Sequence, residues 1–384
     1  MTKLYLVRHA EAEGNLYRRI HGHYDSLVTV NGYRQIEALA ARFAEIDVAA
    51  VYASDLFRTQ ATAQAICEPK GLPLQVRPAL RELGMGEWED RTWGEVYLND
   101  LPRMQLFSQS SPDWQVEGGE TFEMVRERIT AELFQIAAAH EGQTVAVFSH
   151  GTAIRCACAK LMGIGIAESY ALGHSDNTAV TLLEFENGEA RVVFRDDNSH
   201  LSEEISTLAQ QAWWRRKDGT SPDENLWYRP LDLSQMAYRG LYLASRQEAW
   251  MDLDRNLRYL EGQDYLQNAA AVARENSRYL LTANLKNSIV GILQLSPMLD
   301  VEEGAGHIAF CYMLPEHRKR GLGVQLLGEA ISVYRSMGRT KLRLTCGEDN
   351  PTAMRFYLRH GFEKIATRTE PFATLHILEK YIGY

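Results

Sequence analysis

The chain is poor in cysteine, with five in 384 residues. That is too few for the disulfide framework of small secreted domains. No apolar run approaches the roughly 20 residues that cross a bilayer. The opening stretch, Met1–Val7, is too short for a secretory leader and runs into Arg8-His9 with no small-residue cleavage site. Basic residues do not dominate either: 41 Lys and Arg face 50 Asp and Glu, a net charge of −9, which is not the footprint of a nucleic-acid binder. The expectation is a cytoplasmic, reduced protein that neither enters a membrane nor binds nucleic acid. A small anion is not excluded, because a few arginines focused in one pocket bind phosphate whatever the total charge.

What is present is ordinary globular material, 45% apolar and 24% charged, enough for two or three domains. Residues 3–7 read as a buried strand. Residues 31–46 read as a helix, with apolar positions at Ile36, Leu39, Ala40 and Phe43. Val48–Ala53 reads as a second strand, and Ser54-Asp55 as the cap of a helix running to Ile66. Thr144–Phe148 is a third strand, with a helix after Ser149-His150-Gly151-Thr152. Val180–Phe185 and Arg191–Phe194 are joined by the hairpin turn Asn187-Gly188. Strands alternating with helices predict an α/β layered sheet. Leu201–Trp214 reads as a helix, and the charged, Gly- and Pro-containing stretch 215–225 as a linker. Trp213-Trp214-Arg215-Arg216-Lys217 reads as the close of that helix, not as a nucleic-acid patch. Beyond the linker, helical segments occupy 232–276. Strands follow at 279–283, 288–295 and 306–314, a basic loop over 315–320 opens a helix at Gly321, and 341–345 and 350–360 give a further strand and helix. The halves share no repeat, so two unrelated domains are expected.

Four features of the first half stand at strand ends or helix starts: Arg8-His9, Arg58 in Ser54-Asp55-Leu56-Phe57-Arg58-Thr59, Glu82 in Leu80-Arg81-Glu82-Leu83-Gly84, and His150-Gly151. Ligands of open α/β sheets sit off the carboxyl ends of strands. Phosphoryl transfer asks for guanidinium donors on the phosphoryl oxygens, a neutral imidazole as nucleophile, and a carboxylic acid, best with a raised pKa, to protonate the leaving oxygen. Together with Asn15, these motifs resemble the histidine phosphatase (phosphoglycerate mutase-like) superfamily over about residues 1–200. The resemblance implies a three-layer α/β/α domain in which His9 is phosphorylated, Glu82 is the proton donor, and Arg8, Asn15, Arg58 and His150 bind the phosphoryl group, with no metal. The family's Asp-Xaa-Pro-Leu-Thr is Asp25-Ser26-Leu27-Val28-Thr29 here, without proline, and its Glu-Gly after the acid motif is Glu89-Asp90. Both departures bear on substrate identity. Phosphatase and mutase are both open; fusion to a second enzyme favours a metabolite phosphatase. His21-Gly22-His23 lacks a third ligand at metal-binding spacing and reads as loop. Cys156 and Cys158 read as buried small hydrophobes.

In the second half, a strand, the basic turn Arg318-Lys319-Arg320-Gly321-Leu322-Gly323 and a helix offer closely approachable backbone and free N–H groups to a diphosphate. A dinucleotide fingerprint does not fit, because Leu326 stands where the third glycine belongs. Arg318-Xaa-Xaa-Gly321-Xaa-Gly323 with Asn350–Phe362 resembles the GNAT N-acetyltransferase superfamily over about 226–384, with Arg229-Pro230 near its first strand. The resemblance implies a mixed α/β domain that uses acetyl-CoA or another acyl-CoA. Arg318, Lys319, Arg320, Gly321, Gly323, Val324 and Asn350 would contact the cofactor, and Tyr357 would protonate the leaving thiolate. Glu302, Glu303 and His307 are candidates for the base. The resulting layout is a phosphatase domain over 1–214, a linker over 215–225 and an acyltransferase domain over 226–384, acting on a phosphorylated small molecule and an amine. Two alternatives stand: an acyl-CoA-sensing second half, or an enzyme that modifies proteins. The oligomeric state is left open.

Overall fold

The computed structural model describes residues 1–211, 224–251 and 260–383. These fall into two compact units. Among them, no helix is long and apolar enough to cross a membrane. Of the expected linker, residues 215–223 lie outside the described residues, as does the whole of Trp213–Lys217.

The N-terminal unit begins with β1 (Thr2–Arg8), the short α1 (Glu13–Tyr17), α2 (Val30–Phe43), β2 (Ala50–Ala53), α3 (Phe57–Lys70) and β3 (Leu74–Val76). Then follow α4 (Trp93–Asn99), α5 (Leu101–Ser108), α6 (Phe122–Ala139), β4 (Thr144–Ser149), α7 (Gly151–Leu161), β5 (Val180–Glu186), β6 (Glu189–Asp197) and a single turn, α8 (Thr207–Gln210). The six strands lie in the order β3-β2-β4-β1-β5-β6. β1, β2, β3 and β4 run parallel, while β5 and β6 are antiparallel. Leu39 and Phe43 of α2 and Ala63 and Ile66 of α3 pack on Val7, Val51 and Phe148 of the sheet. The expected α/β/α layering is thus the observed architecture. β1 and β4 are paired through Arg8↔Ser149, which brings the Arg8-His9 and His150-Gly151 segments side by side.

Two local expectations are corrected. Ser54-Asp55 does not cap α3. The N-cap is Leu56, which has no side-chain acceptor, and the Asp25 carboxylate takes the Phe57 N–H instead, at 2.9 and 3.0 Å. Of the helix expected over 201–214, the described residues 201–211 hold only α8, because tertiary partners claim their backbone, and 212–214 lie outside the described residues. The Ile205 carbonyl accepts from Gln35 Nε2 at 2.7 Å and Asn31 Nδ2 at 3.0 Å, and Asp176 accepts from Ser206 Oγ and Leu208 N.

The C-terminal unit holds β7 (Trp227–Pro230), α9 (Met236–Met251), α10 (Gly262–Glu275), β8 (Leu280–Leu285), β9 (Ser288–Ser296) and β10 (Ala305–Met313). It continues with α11 (Gly323–Ser336), β11 (Lys341–Gly347), α12 (Pro351–Arg359), β12 (Glu363–Thr369) and β13 (Thr374–Tyr381). The seven strands run β12-β13-β11-β10-β9-β8-β7, a mixed sheet whose one parallel pair, β10 with β11, is joined through α11. That pair is short. Only Ala305–Ile308 face Lys341–Leu344, although both strands run on, to Met313 and Gly347. At the same point β10 bulges against β9, between Ile308 and Phe310. The bulge turns the strand away from its neighbour, and the two strands splay apart in the middle of the sheet. The helix expected at Gly321 begins two residues later, at Gly323.

Candidate functional site

In the N-terminal unit, His9 and His150 follow paired strands and their rings stand 5.2 Å apart between centroids. His9 Nδ1–H donates to its neighbour Ala10 O at 2.7 Å. That bond fixes the tautomer and leaves the Nε2 lone pair free. His9 is 6% exposed. Burial, then the Arg58 and Arg8 guanidiniums, holds its imidazole well below its ordinary pKa, so the ring is neutral. His150 is likewise held well down by burial and by Arg58 and His9. Its Nε2 shares a hydrogen bond with Ser54 Oγ at 2.8 Å, and its buried Nδ1 has no partner.

Arg8, Glu82 and His150 converge on the start of α7. A Cβ on Gly151 would stand 3.3 Å from Arg8 Nε, and that buried nitrogen has no hydrogen-bond partner. Arg8 Nη1 donates to the Ser175 carbonyl. Glu82 accepts from Thr152 N at 3.0 Å, Ala153 N at 2.9 Å and Leu83 N at 2.8 Å. Asn15 Oδ1 accepts from Ala12 N at 3.1 Å and lies 3.4 Å from Asn177 Nδ2. Arg58, 1% exposed, donates to the carbonyls of Tyr24 and Gly22 at 3.0 and 2.7 Å. Part of its fork therefore holds the loop over 21–24, while its charge acts on His9 and His150.

The same loop explains one departure noted above. Glu89 accepts from the N–H groups of Gly22, His23 and Tyr24. Asp90 takes a left-handed backbone, φ +58°, the conformation glycine adopts freely, and anchors Arg19 Nε at 2.7 Å. Among the described residues no group of three or more His, Cys, Asp or Glu is placed to hold a metal. Cys156 and Cys158 are fully buried, and burial pushes both thiols up to about 12.

The sequence reading missed three residues of this pocket. Ser54 orients His150. Asn177 donates to the His9 carbonyl at 2.9 Å and keeps a buried, unpartnered Oδ1. Arg155 on α7 carries a buried, unpartnered Nε. It acts with Arg8, after burial itself, to hold His174 down at about 4. Arg155 sits one helical turn after Gly151, a spacing that places it on the pocket side of α7.

In the C-terminal unit the turn before α11 has Lys319 and Gly321 in left-handed conformations, φ +60° and +76°, with Gly323 and Val324 opening the helix. Arg318 does not face into this turn. It forms a bidentate pair with Glu248 at 3.0 and 2.6 Å, donates to Met313 O and lies over Tyr312. Arg320 Nη1 approaches His317 Nδ1 at 3.2 Å. Asn350 spends its side-chain carbonyl on capping α12, accepting from Ala353 N at 2.9 Å. Tyr357 comes to the splay: its hydroxyl bonds the Cys311 thiol on β10, and burial pushes that phenol well above its ordinary value. The three base candidates lie elsewhere. His307 and the Glu302–Glu303 turn flank the start of β10, roughly 20 Å of strand from Met313. His307 is paired with Asp300 at 2.9 Å, and Arg343 joins Asp300, Glu303 and Glu379. All three therefore lie away from the turn, with Glu303 paired to Arg343 and His307 hydrogen-bonded to Asp300.

A model of the histidine phosphatase superfamily (branch 1) matches residues 4–198, and one of the acetyltransferase (GNAT) family matches residues 237–362. Among curated relatives, the probable phosphoglycerate mutase GpmB of Enterobacter sp. (strain 638) is 32% identical over 164 residues, 43% of this chain and 76% of that protein. Its counterpart in Serratia proteamaculans (strain 568) is 34% identical over the same shares. The solved structure of Bacillus stearothermophilus YhfR covers 53% of this chain and 100% of its own, at 29% identity and a TM-score of 0.51. With its paired histidines off β1 and β4 and its splayed sheet further on, the chain belongs to the histidine phosphatase superfamily, branch 1, and carries a GNAT acetyltransferase domain in the same polypeptide.

Proposed function

We propose that the protein is a bifunctional cytoplasmic enzyme, a phosphomonoester hydrolase over 1–214 and a CoA-dependent N-acetyltransferase over 226–384. One observation carries the first activity: a buried, neutral His9 whose Nδ1 is tied to Ala10 O. Its Nε2 attacks phosphorus. Arg8, Arg58, Asn15 and His150 hold the phosphoryl oxygens, and Glu82 gives its proton to the departing alkoxide. Water then attacks the phosphohistidine, with Glu82 taking the proton, and releases phosphate. In favour of a small phosphorylated metabolite is the enclosure of His9 and His150, both almost fully buried, which suits a compact monoester better than a folded protein. His9→Ala should lower the release of p-nitrophenol from its phosphate ester by about three orders of magnitude or more. A steady-state assay with purified full-length protein decides it, and unchanged turnover would sink the reading.

The second activity rests on the turn Lys319–Gly323 and the splay of β10 from β11. The turn presents backbone N–H groups to the pyrophosphate of acetyl-CoA or another acyl-CoA. The unpaired strand edges receive its pantetheine arm. An amine attacks the thioester carbonyl and the C–S bond breaks; Tyr357, kept protonated by burial, protonates the departing thiolate, and the proton that the attacking nitrogen sheds passes through water to the resulting phenolate. Tyr357→Phe should cut thiol release from acetyl-CoA with an amine panel by about a hundredfold. A second reading, in which this unit senses acyl-CoA, is favoured by the engagement of Glu303 in an ion pair with Arg343 and of His307 in a hydrogen bond with Asp300, both remote from the turn. Acetyl-CoA binding without thiol release would select it. Covalent linkage of the two units raises effective concentration and suits successive steps on one metabolite. A metabolite screen that finds no compound turned over by both would end that extension.

A further inference from the structure

A cavity of about 260 Å³ in the C-terminal unit is walled by α9, α10, β9 and β10 and reaches Ala309, the residue at the β10 bulge. It therefore borders the bulge at which β10 leaves β11. In its wall is Arg246, 7% exposed. The guanidinium donates to Tyr242 Oη at 3.0 Å and Gln294 Oε1 at 2.8 Å. It stacks on Phe310 and Tyr265 at 4.0 and 4.4 Å from the ring centroids. Gln294 is locked in turn, accepting from Tyr242 Oη at 2.7 Å and donating to Asn268 Oδ1 at 3.1 Å. All of these partners are neutral. Among the described residues no carboxylate makes an ion pair with Arg246. A buried cation that has only neutral partners is costly to hold, and one that lines a cavity can be neutralised by what enters it. Across the cavity, Glu261 and Asp264 at the start of α10 add negative charge.

We infer that the acyl acceptor is a small zwitterion, an amine that carries a carboxylate, with that carboxylate paired to Arg246 and the amino end toward the acidic rim. This deepens the acyltransferase reading and rests on it. The volume falls below that of drug-sized pockets, about 300–1,000 Å³, so the acceptor is of amino-acid size. A phosphate dianion would add two negative charges beside Glu261 and Asp264. A carboxylate adds one, in the planar geometry that a guanidinium fork matches.

The test measures thiol release from acetyl-CoA by the full chain with the twenty protein amino acids and with their primary amides. For the best acceptor, kcat/KM for the free acid should exceed that for the amide by roughly tenfold to a hundredfold. The ratio should collapse toward one in Arg246→Met and survive in part in Arg246→Lys. Gln294→Glu, which sets a carboxylate against an intact Arg246, should collapse it too and serves if Arg246→Met fails to fold. Calorimetric binding of N-acetyl amino acids against N-acetyl amino amides, with CoA present, gives a readout that needs no turnover. Equal turnover of acids and amides by the wild type, or a ratio unmoved by the variants, overturns the assignment and leaves the acyltransferase standing. Absence of thiol release with every amine overturns the acyltransferase. In that event, acid-selective binding lost in the variants still carries Arg246, and binding without selectivity ends it.

Discussion

The charges at the phosphatase pocket are set by who donates to whom. His9 and His150 each give one ring nitrogen to a fixed partner, Ala10 O and Ser54 Oγ, and the proposed reaction assigns the other to the ligand. Ser54→Ala would leave a buried imidazole nitrogen without its partner. The expected cost is about 1–3 kcal/mol of stability, read by denaturant titration, with a lower turnover of any phosphomonoester that Ser54→Thr partly restores. Glu82 is placed by three backbone N–H donors, two of them from the first turn of α7. The acid role proposed for it predicts a dependence on the leaving group. Glu82→Gln should slow alkyl phosphate hydrolysis by about 10²–10⁴ and p-nitrophenyl phosphate far less, since nitrophenolate departs without a proton. Equal losses on both substrates would remove Glu82 from that role. Asp90 shows that a motif departure can be tolerated locally: an aspartate accepts a left-handed backbone more readily than most residues and gains Arg19 in exchange.

At the scale of elements, the sequence was most legible where burial is one-sided or complete. β1, β2 and β4 are apolar runs, and α2 shows its buried face at Leu39 and Phe43. What could not be read has physical reasons. β3 is three residues long and none of them is buried. α5 buries no residue at all, so it has no periodicity to find. The stretch 201–211 has helix-forming residues, yet Asn31, Gln35 and Asp176 claim its backbone, a long-range choice that no local pattern encodes. The site motifs were legible because strand ends carry them. Ser54, Asn177 and Arg155 were not, because their meaning lies in the neighbour each one meets. One glycine makes a test at this scale. A Cβ at Gly306 on β10 would stand 2.2–2.4 Å from ring atoms of the fully buried Tyr334. Gly306→Ala should therefore destabilise the C-terminal unit by about 1–3 kcal/mol, measured as a lower denaturant midpoint for its transition.

For the molecule as a whole, the buried histidines dictate the acid side of the stability curve. His9, His21 and His150 are held below their ordinary pKa by burial, and His174, His200 and His360 are pushed down to about 4. Unfolded, each would take up a proton below about pH 6.5; folded, each takes it up only at lower pH. The unfolded chain therefore binds more protons, and stability present above pH 6.5 is lost as pH falls from there toward 4. Urea titrations at pH 7.5, 6 and 5 should show a steep, monotonic loss, and a flat profile would contradict the neutral imidazoles. The parting of β10 from β11 has a different consequence. It leaves rows of amide and carbonyl groups facing each other across a cleft in mid-sheet, where other sheets are sealed. An acyl-CoA arm held in that cleft, as proposed above, would complete the weave as a borrowed strand and stiffen the C-terminal unit. Its hydrogen exchange along residues 309–313 and 345–347 should slow when acetyl-CoA is added, and its melting temperature should climb with the logarithm of the concentration. On that proposal, the sheet without the thioester stays ajar.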